Sequence, residues 1–222
     1  MALDDLQRQV AAIVLEAAKP YGFALAGGCA LIAHGVVDRH TEDVDLFTDA
    51  EGGVKAATAA VEAGLRAAGL DPAREDKTAG LDDIFPGMGE GLAEWVITAP
   101  GGEQVRLQIS HFDRIHAPVI MDIGPVLDLA DVIAGKVVAL ASRAAERDYI
   151  DTAAALARGY SITQLIALAQ ELDPGLEDQD FAEAGDRLDQ MTDRAFARYG
   201  LASHDIARLR QQFASWPRTI RR

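Results

Sequence analysis

Apolar residues at Leu3, Leu6, Val10, Ile13, Val14 and Ala17 recur at helical spacing, so the chain opens on an amphipathic helix over 3–18, stopped by Pro20 and Gly22. The apolar run 23–26 predicts a short strand, and residues 29–34 a short helix ending near Gly35. Polar and apolar residues then alternate through Asp43, Val44, Asp45 and Leu46. A strand there puts the two aspartates on one face and the two aliphatic residues on the other. An alanine-rich helix is expected over 54–68 with Gly69 capping its end, and the glycine, proline and aspartate content of 70–91 reads as loop. Residues 93–98 and 103–110 alternate on either side of Ala-Pro-Gly-Gly, the signature of a hairpin. A second loop rich in proline and glycine leads into a helical pattern from Leu127 onward, with breaks near Arg147, Gly159, Pro174 and Gly200. The expected organisation is therefore an α/β domain over 1–125 and a helical domain over 126–222.

Composition narrows the classes. With 222 residues, 49% hydrophobic and 25% charged, the chain has the make-up of a globular protein able to bury a sizeable core. No apolar run approaches the roughly 18 to 20 residues of a membrane span, and the start Met-Ala-Leu-Asp-Asp lacks the basic residues of a signal peptide. A cytoplasmic protein with no membrane partner is expected. The net charge of −14 argues against general adhesion to nucleic acid or anionic lipid, though not against a local basic groove. Residues 171–193 hold nine acids against Arg187, whereas 203–222 hold five arginines against Asp205, making the tail a candidate contact surface. The single cysteine, Cys29, forms no intrachain disulfide and reads as a small buried side chain; the five histidines show no zinc spacing. Trp95 reads as core and Trp216 as packing of the last helix, with base stacking beside Arg218 as the alternative.

Two features carry candidate chemistry. Asp43 and Asp45, about 7 Å apart along one strand face, can converge on a hard cation. Upstream, Gly27 and Gly28 open a helix whose free amides could receive a phosphate. The bland readings are an exposed acidic strand face and a tight turn. Downstream, Lys136, Leu140, Arg143 and Arg147 fall at intervals of four, three and four. On a continuous helix the three cations share a face that could meet a triphosphate; the bland reading pairs them with Glu146 and Asp151.

The Gly-Gly turn followed by Asp-x-Asp on a strand resembles the DNA polymerase β-like nucleotidyltransferase superfamily. More narrowly, Gly27-Gly28-x-x-Leu31 followed by Arg39-x-Thr41-x-Asp43-x-Asp45 resembles the abortive-infection nucleotidyltransferase toxins, the AbiEii/AbiGii and MenA-like group. The block containing Lys136, Arg143, Arg147, Asp148 and Asp151 is similar to that family's helical Lys…Arg…Arg/Lys-Asp-x-x-Asp segment. The resemblance covers roughly 20–48 and 127–156. It implies a nucleotidyltransferase-type mixed sheet with flanking helices, followed by a helical half that completes the active-site cleft. It implies transfer of a nucleoside monophosphate from a nucleoside triphosphate (NTP) to a hydroxyl, with tRNA as acceptor and a cognate antitoxin as partner. In that scheme Asp43 and Asp45 hold Mg2+ or Mn2+. Gly27 and Gly28 take the phosphates, while Arg39, Thr41 and Arg143 bind the nucleotide. Lys136 balances its charge, and Asp148 orients Lys136 or serves the incoming hydroxyl. One departure stands out: Gln108 lies on the later strand where a third carboxylate is expected, leaving Glu94, Glu103 or Asp113 for that role, or a single metal. The alternatives are a nucleotidyltransferase acting on a small molecule or protein, and a non-catalytic nucleotide-binding module.

Overall fold

A computed structural model of the chain describes residues 3–75 and 91–219. It divides into two compact units, one made of Met1–His34 with Thr41–Asp128, the other of Gly35–His40 with Leu129–Arg222. Among the described residues no helix is long and apolar enough to cross a membrane.

The first unit is a mixed seven-stranded sheet with helices. Helix α1 (Asp5–Ala17) starts at Asp4, whose side chain accepts from the Gln7 backbone N–H while Gln7 returns a bond to the Asp4 backbone. This reciprocal capping satisfies two amides that a helix start would otherwise leave free. Strand β1 (Ala24–Leu25), helix α2 (Gly27–Ala33), strand β2 (Asp43–Thr48) and helix α3 (Gly53–Ala67) follow. Gly69, at φ +78°, ends α3 as expected, and the next amide, from Leu70, returns to the Leu65 carbonyl. Strands β4 (Leu92–Thr98) and β5 (Gln104–His111) form the predicted hairpin.

Three strands depart from the expected pattern. Asp71–Glu75, read as loop, is strand β3, pairing antiparallel with β4. Its one well-buried side chain is Pro72, so no alternation of aliphatic residues announces it. The remainder of that expected loop, 76–90, lies outside the described residues. The second expected loop contains β6 (Val119–Met121) and β7 (Gly124–Val126), a hairpin in which β7 also runs parallel to β1. At three residues each they are too short to show a period.

The sheet order is β3-β4-β5-β2-β1-β7-β6, with β2 parallel to β5 and antiparallel to β1. Val44 and Leu46 of β2, Val105, Leu107 and Ile109 of β5, and Trp95 and Ile97 of β4 are buried on the face where α1 and α3 pack. The opposite face therefore carries the intervening residues, including Asp43, Asp45, Gln108 and Glu94, all half-buried. That alternation positions the candidate site.

The second unit is helical: α4 (Leu129–Ser142), α5 (Glu146–Ala157), α6 (Ile162–Leu172), α7 (Asp178–Gln190), α8 (Asp193–Ala197) and α9 (Ser203–Gln212). Helix α4 is apolar on nearly every side and touches α5, α6 and α7, as a central helix must. Tyr149, Phe181, Phe196, Phe213 and Trp216 form a buried aromatic cluster with mostly edge-to-face geometry. Tyr149 Oη donates to the Ala184 carbonyl at 2.6 Å and Trp216 Nε1 to the Phe181 carbonyl at 2.9 Å, so both polar tips are satisfied.

The expected continuous helix from Lys136 to Arg147 is not formed. Helix α4 stops at Ser142, Ala144 adopts φ +49°, and α5 begins at Glu146. The left-handed residue costs about 1–2 kcal/mol. Against that, the Asp148 carboxylate accepts from the Ala145 N–H at 3.1 Å and from Nε and Nη2 of Arg143 at 2.9 and 2.8 Å. Capping of α5 and a bidentate ion pair thus hold the break, which alanine richness conceals. Arg143 and Arg147 consequently do not extend the Lys136 face.

Candidate active site

The sheet unit presents the two aspartates. Gly27, the first residue of α2, has φ +57°, and a β-carbon built there would lie 1.8 Å from Asp45 Oδ2. The first glycine of the pair is therefore demanded by Asp45, whose carboxylate lies against the start of α2. The backbone fixes the same corner: the Ala26 N–H donates to the Asp45 carbonyl at 2.8 Å. Cys29 Sγ, on α2, donates to the Asp43 carbonyl at 3.2 Å, giving the buried thiol a structural task at the start of β2. Thr41 is buried, and its carbonyl accepts from Gln7 Nε2 at 2.6 Å, which ties the approach to β2 onto α1.

Strand register extends the polar face. Asp45 is level with Gln108, Gln108 with Glu94, and Glu94 with Glu75, so one row runs across four strands. Neighbouring strands lie about 4.8 Å apart, and side chains in register share a face. Of the acids proposed for a third position, Glu94 alone shares this row. Glu103 precedes β5 in the hairpin turn, and Asp113 is 88% exposed beside His111. Asp43 is level with Arg106.

The donor set fits a hard cation. Mg2+ usually takes one or two carboxylates and completes its shell with water and substrate phosphate rather than a full protein cage. Asp43 and Asp45 supply two such groups and Gln108 a neutral oxygen beside them. Among the described residues no three His, Cys, Asp or Glu side chains gather closely enough to hold a metal by themselves.

In the helical unit, Lys136 on α4 points its ammonium to Asp151 Oδ2 at 3.1 Å. Arg39, from the 35–40 segment, donates to both oxygens of the same carboxylate, Nε to Oδ1 at 2.8 Å and Nη2 to Oδ2 at 2.7 Å. Asp148, expected beside Lys136, is instead the partner of Arg143. The reason lies in the chain's own geometry, since Asp148 caps the very helix that Arg143 precedes. Asp151 is completely buried, and burial alone would raise its pKa. The charge of Lys136 and the hydrogen bond and charge of Arg39 outweigh that and hold it below the usual carboxylate range. Arg39 is the mirror image: burial would lower its pKa, but the Asp151 contact raises it. The hub of this cluster is thus Asp151, three residues beyond the aspartate expected to play the part. Its place one helical turn after Asp148, in the Asp-x-x-Asp pair, was the available signal.

Among the described residues, the arginines of the basic tail pair within the chain. Arg208 pairs with Asp205; Arg210 pairs with Asp193 and donates to the Leu188 and Met191 carbonyls at the end of α7; Arg218 grips Asp189 through two nitrogens. Trp216 is 2% exposed, which leaves packing, not base stacking, as its role. Arg221 and Arg222 lie outside the described residues.

Comparison with known proteins gives a consistent family. The family described as nucleotidyl transferase AbiEii toxin, type IV toxin-antitoxin system, matches residues 11–215. No curated protein matches in sequence. Among solved structures the chain is similar to MenT4, a nucleotidyltransferase toxin of Mycobacterium tuberculosis, with TM-score 0.60 and 15% identity over 94% of this chain and 82% of that one. It is also similar to a candidate nucleotidyltransferase of Helicobacter pylori, with TM-score 0.57 and 13% identity over 96% and 95% of the two chains. JHP933 of Helicobacter pylori aligns with TM-score 0.53 and 16% identity over 96% and 97%. At such identities these structures establish the fold.

Proposed function

The chain belongs to the AbiEii nucleotidyltransferase toxin family of type IV toxin-antitoxin systems, and we propose that it moves a nucleoside monophosphate from an NTP to the hydroxyl of an RNA acceptor, with tRNA the first candidate. One observation carries the reading at residue level: Asp43 and Asp45 share the half-buried face of β2, and Asp45 is seated against α2 in a space that only glycine at position 27 leaves open.

In this reading Asp43 and Asp45 hold Mg2+ or Mn2+. The bound ion would neutralise phosphate charge and polarise the reacting phosphorus–oxygen bonds. The Gly27–Gly28 turn takes the terminal phosphates. Lys136 supplies positive charge to the triphosphate, and Arg143 stands by as a second cation, half exposed although paired with Asp148. Phosphoryl transfer asks mainly for positioning and charge compensation, and these residue types provide both. Asp148, anchored by Arg143 and the start of α5, is a fixed carboxylate rather than a mobile base. The proposed setting is the cytoplasm, and the proposed partner is the antitoxin that a type IV toxin-antitoxin family implies.

The test is incorporation of label from each α-labelled NTP into tRNA, with and without Mg2+. Label in tRNA that disappears in Asp43→Ala supports the reading. Labelled protein or metabolite with unlabelled tRNA moves the acceptor to the alternative that the net charge of −14 favours, a cationic small molecule or a protein.

A further inference from the structure

Asp151 is the meeting point of three parts of the chain. Arg39 comes from the 35–40 segment, Lys136 from α4 and Asp151 itself from α5. The Arg39 and Lys136 side chains are only 11% and 14% exposed, and the Asp151 side chain is fully buried. Two cations face one carboxylate, so the trio keeps one positive charge. Asp148 also acts on Arg39 through its charge, but it is already neutralised by Arg143. A partly buried excess charge is costly until a counter-ion arrives. An anionic ligand would supply one.

The two cations are not equally free to turn. All three nitrogens of Arg39 are held, Nε and Nη2 by Asp151 and Nη1 by the His40 carbonyl at 3.0 Å, so its two remaining N–H groups have their direction fixed. Lys136 gives one of its three N–H bonds to Asp151 and keeps two. A planar guanidinium fixes both carboxylate oxygens in one orientation, whereas a lysine ammonium on its flexible stem takes whatever direction its partner sets. The order of control therefore runs from Arg39 to Asp151 to Lys136.

We propose that Asp151, gripped by Arg39, is a positioning residue that directs the Lys136 ammonium at the triphosphate, and that Arg39 makes no contact with the nucleotide. This rests on the nucleotidyltransferase reading above and changes one assignment within it: Arg39 leaves the set of phosphate-binding cations and becomes a latch.

A double-mutant cycle on the full chain separates the roles, using Arg39→Gln, Asp151→Asn and the pair, with kcat and KM measured for the NTP. A latch acts only through Asp151, so each single change is expected to lower kcat/KM at least about tenfold and the pair to do no worse than Asp151→Asn alone. Losses that add in the pair, or an NTP KM in Arg39→Gln that rises as far as in Lys136→Gln, overturn the proposal. Arg39→Lys, which cannot grip both oxygens, is expected to lose kcat while its KM stays within about threefold. It carries the test if Asp151→Asn does not fold. A wild-type chain that neither binds Mg-NTP nor transfers label refutes the underlying functional reading, and the proposal with it. An active wild type in which the losses of the two single variants add in the pair refutes the positioning role alone.

Discussion

The Asp45 carboxylate occupies the volume that a side chain at Gly27 would need: a β-carbon on residue 27 would fall 1.8 Å from Oδ2 and 2.7 Å from Cγ. The glycine and the aspartate are eighteen residues apart, yet one conformation requires both. Gly27→Ala is therefore expected to swing Asp45 out of place, in addition to the roughly 1–2 kcal/mol for alanine at positive φ. A displacement of about 1 Å at a reacting group can cost on the order of a hundredfold in rate. Label transfer should fall by at least that factor while circular dichroism shows the fold retained. Full activity in a folded Gly27→Ala protein would remove Asp45 from the site.

Gln108 lies in register between Asp45 and Glu94, a neutral side chain separating two acids. Replacing it by glutamate sets like charges side by side, which costs about 0.2–1 kcal/mol for each such neighbour. Gln108→Glu should therefore melt below the wild type in metal-free buffer and gain more from Mg2+ than the wild type does. Scanning fluorimetry with and without MgCl2 reads both. Equal stabilisation of the two proteins by Mg2+ would mean that the row beyond Asp45 does not reach the metal.

The buried carboxylate of Asp151 gives stability a defined pH dependence. Its pKa is lower in the folded than in the unfolded protein, because Lys136 and Arg39 outweigh the cost of burial. The unfolded chain thus takes up this proton first as pH falls. The stabilisation is fully present above the unfolded value, about 3.9, and is lost as pH drops through the lower folded value. Removing one member of a buried ion pair typically costs about 3–5 kcal/mol. Urea unfolding at pH 7 should show a loss of that order in Asp151→Asn, and the gap between variant and wild type should narrow below about pH 3.5. A gap that stays constant across that range would show that the Asp151 charge is not what stabilises the cluster.

How far these features can be read in the sequence depends on the distance over which they are encoded. The alternation of Asp43, Val44, Asp45 and Leu46 is local, and the strand with its two-sided character forms as expected. Strand β3 is set by pairing with β4, not by its own pattern, since Pro72 stands where an aliphatic residue would announce it. The α4–α5 break is concealed by Ala144 and Ala145, good helix formers overruled by the Asp148 cap and its grip on Arg143. The Arg39–Asp151 contact joins residues 112 apart, and no spacing rule reaches that far. What the motifs carried was the set of residue types; which aspartate meets which cation required the fold.

The C-terminal arginines bring the same lesson to the last aromatic residue. Trp216 is buried against Phe213 and Phe181 and donates its indole N–H to the Phe181 carbonyl. Arg218 beside it is spent on Asp189 and on the Trp216 and Pro217 carbonyls. Trp216→Ala should thus cost about 3–5 kcal/mol by opening a cavity in the aromatic cluster. Trp216→Phe keeps most of the packing and loses the hydrogen bond, a change of about 0.5–1.5 kcal/mol. If Trp216 is structural, Trp216→Phe should bind and modify the RNA acceptor as the wild type does at temperatures where both are folded. A folded Trp216→Phe protein with weakened acceptor binding, measured by filter retention of labelled tRNA, would return the residue to a stacking role.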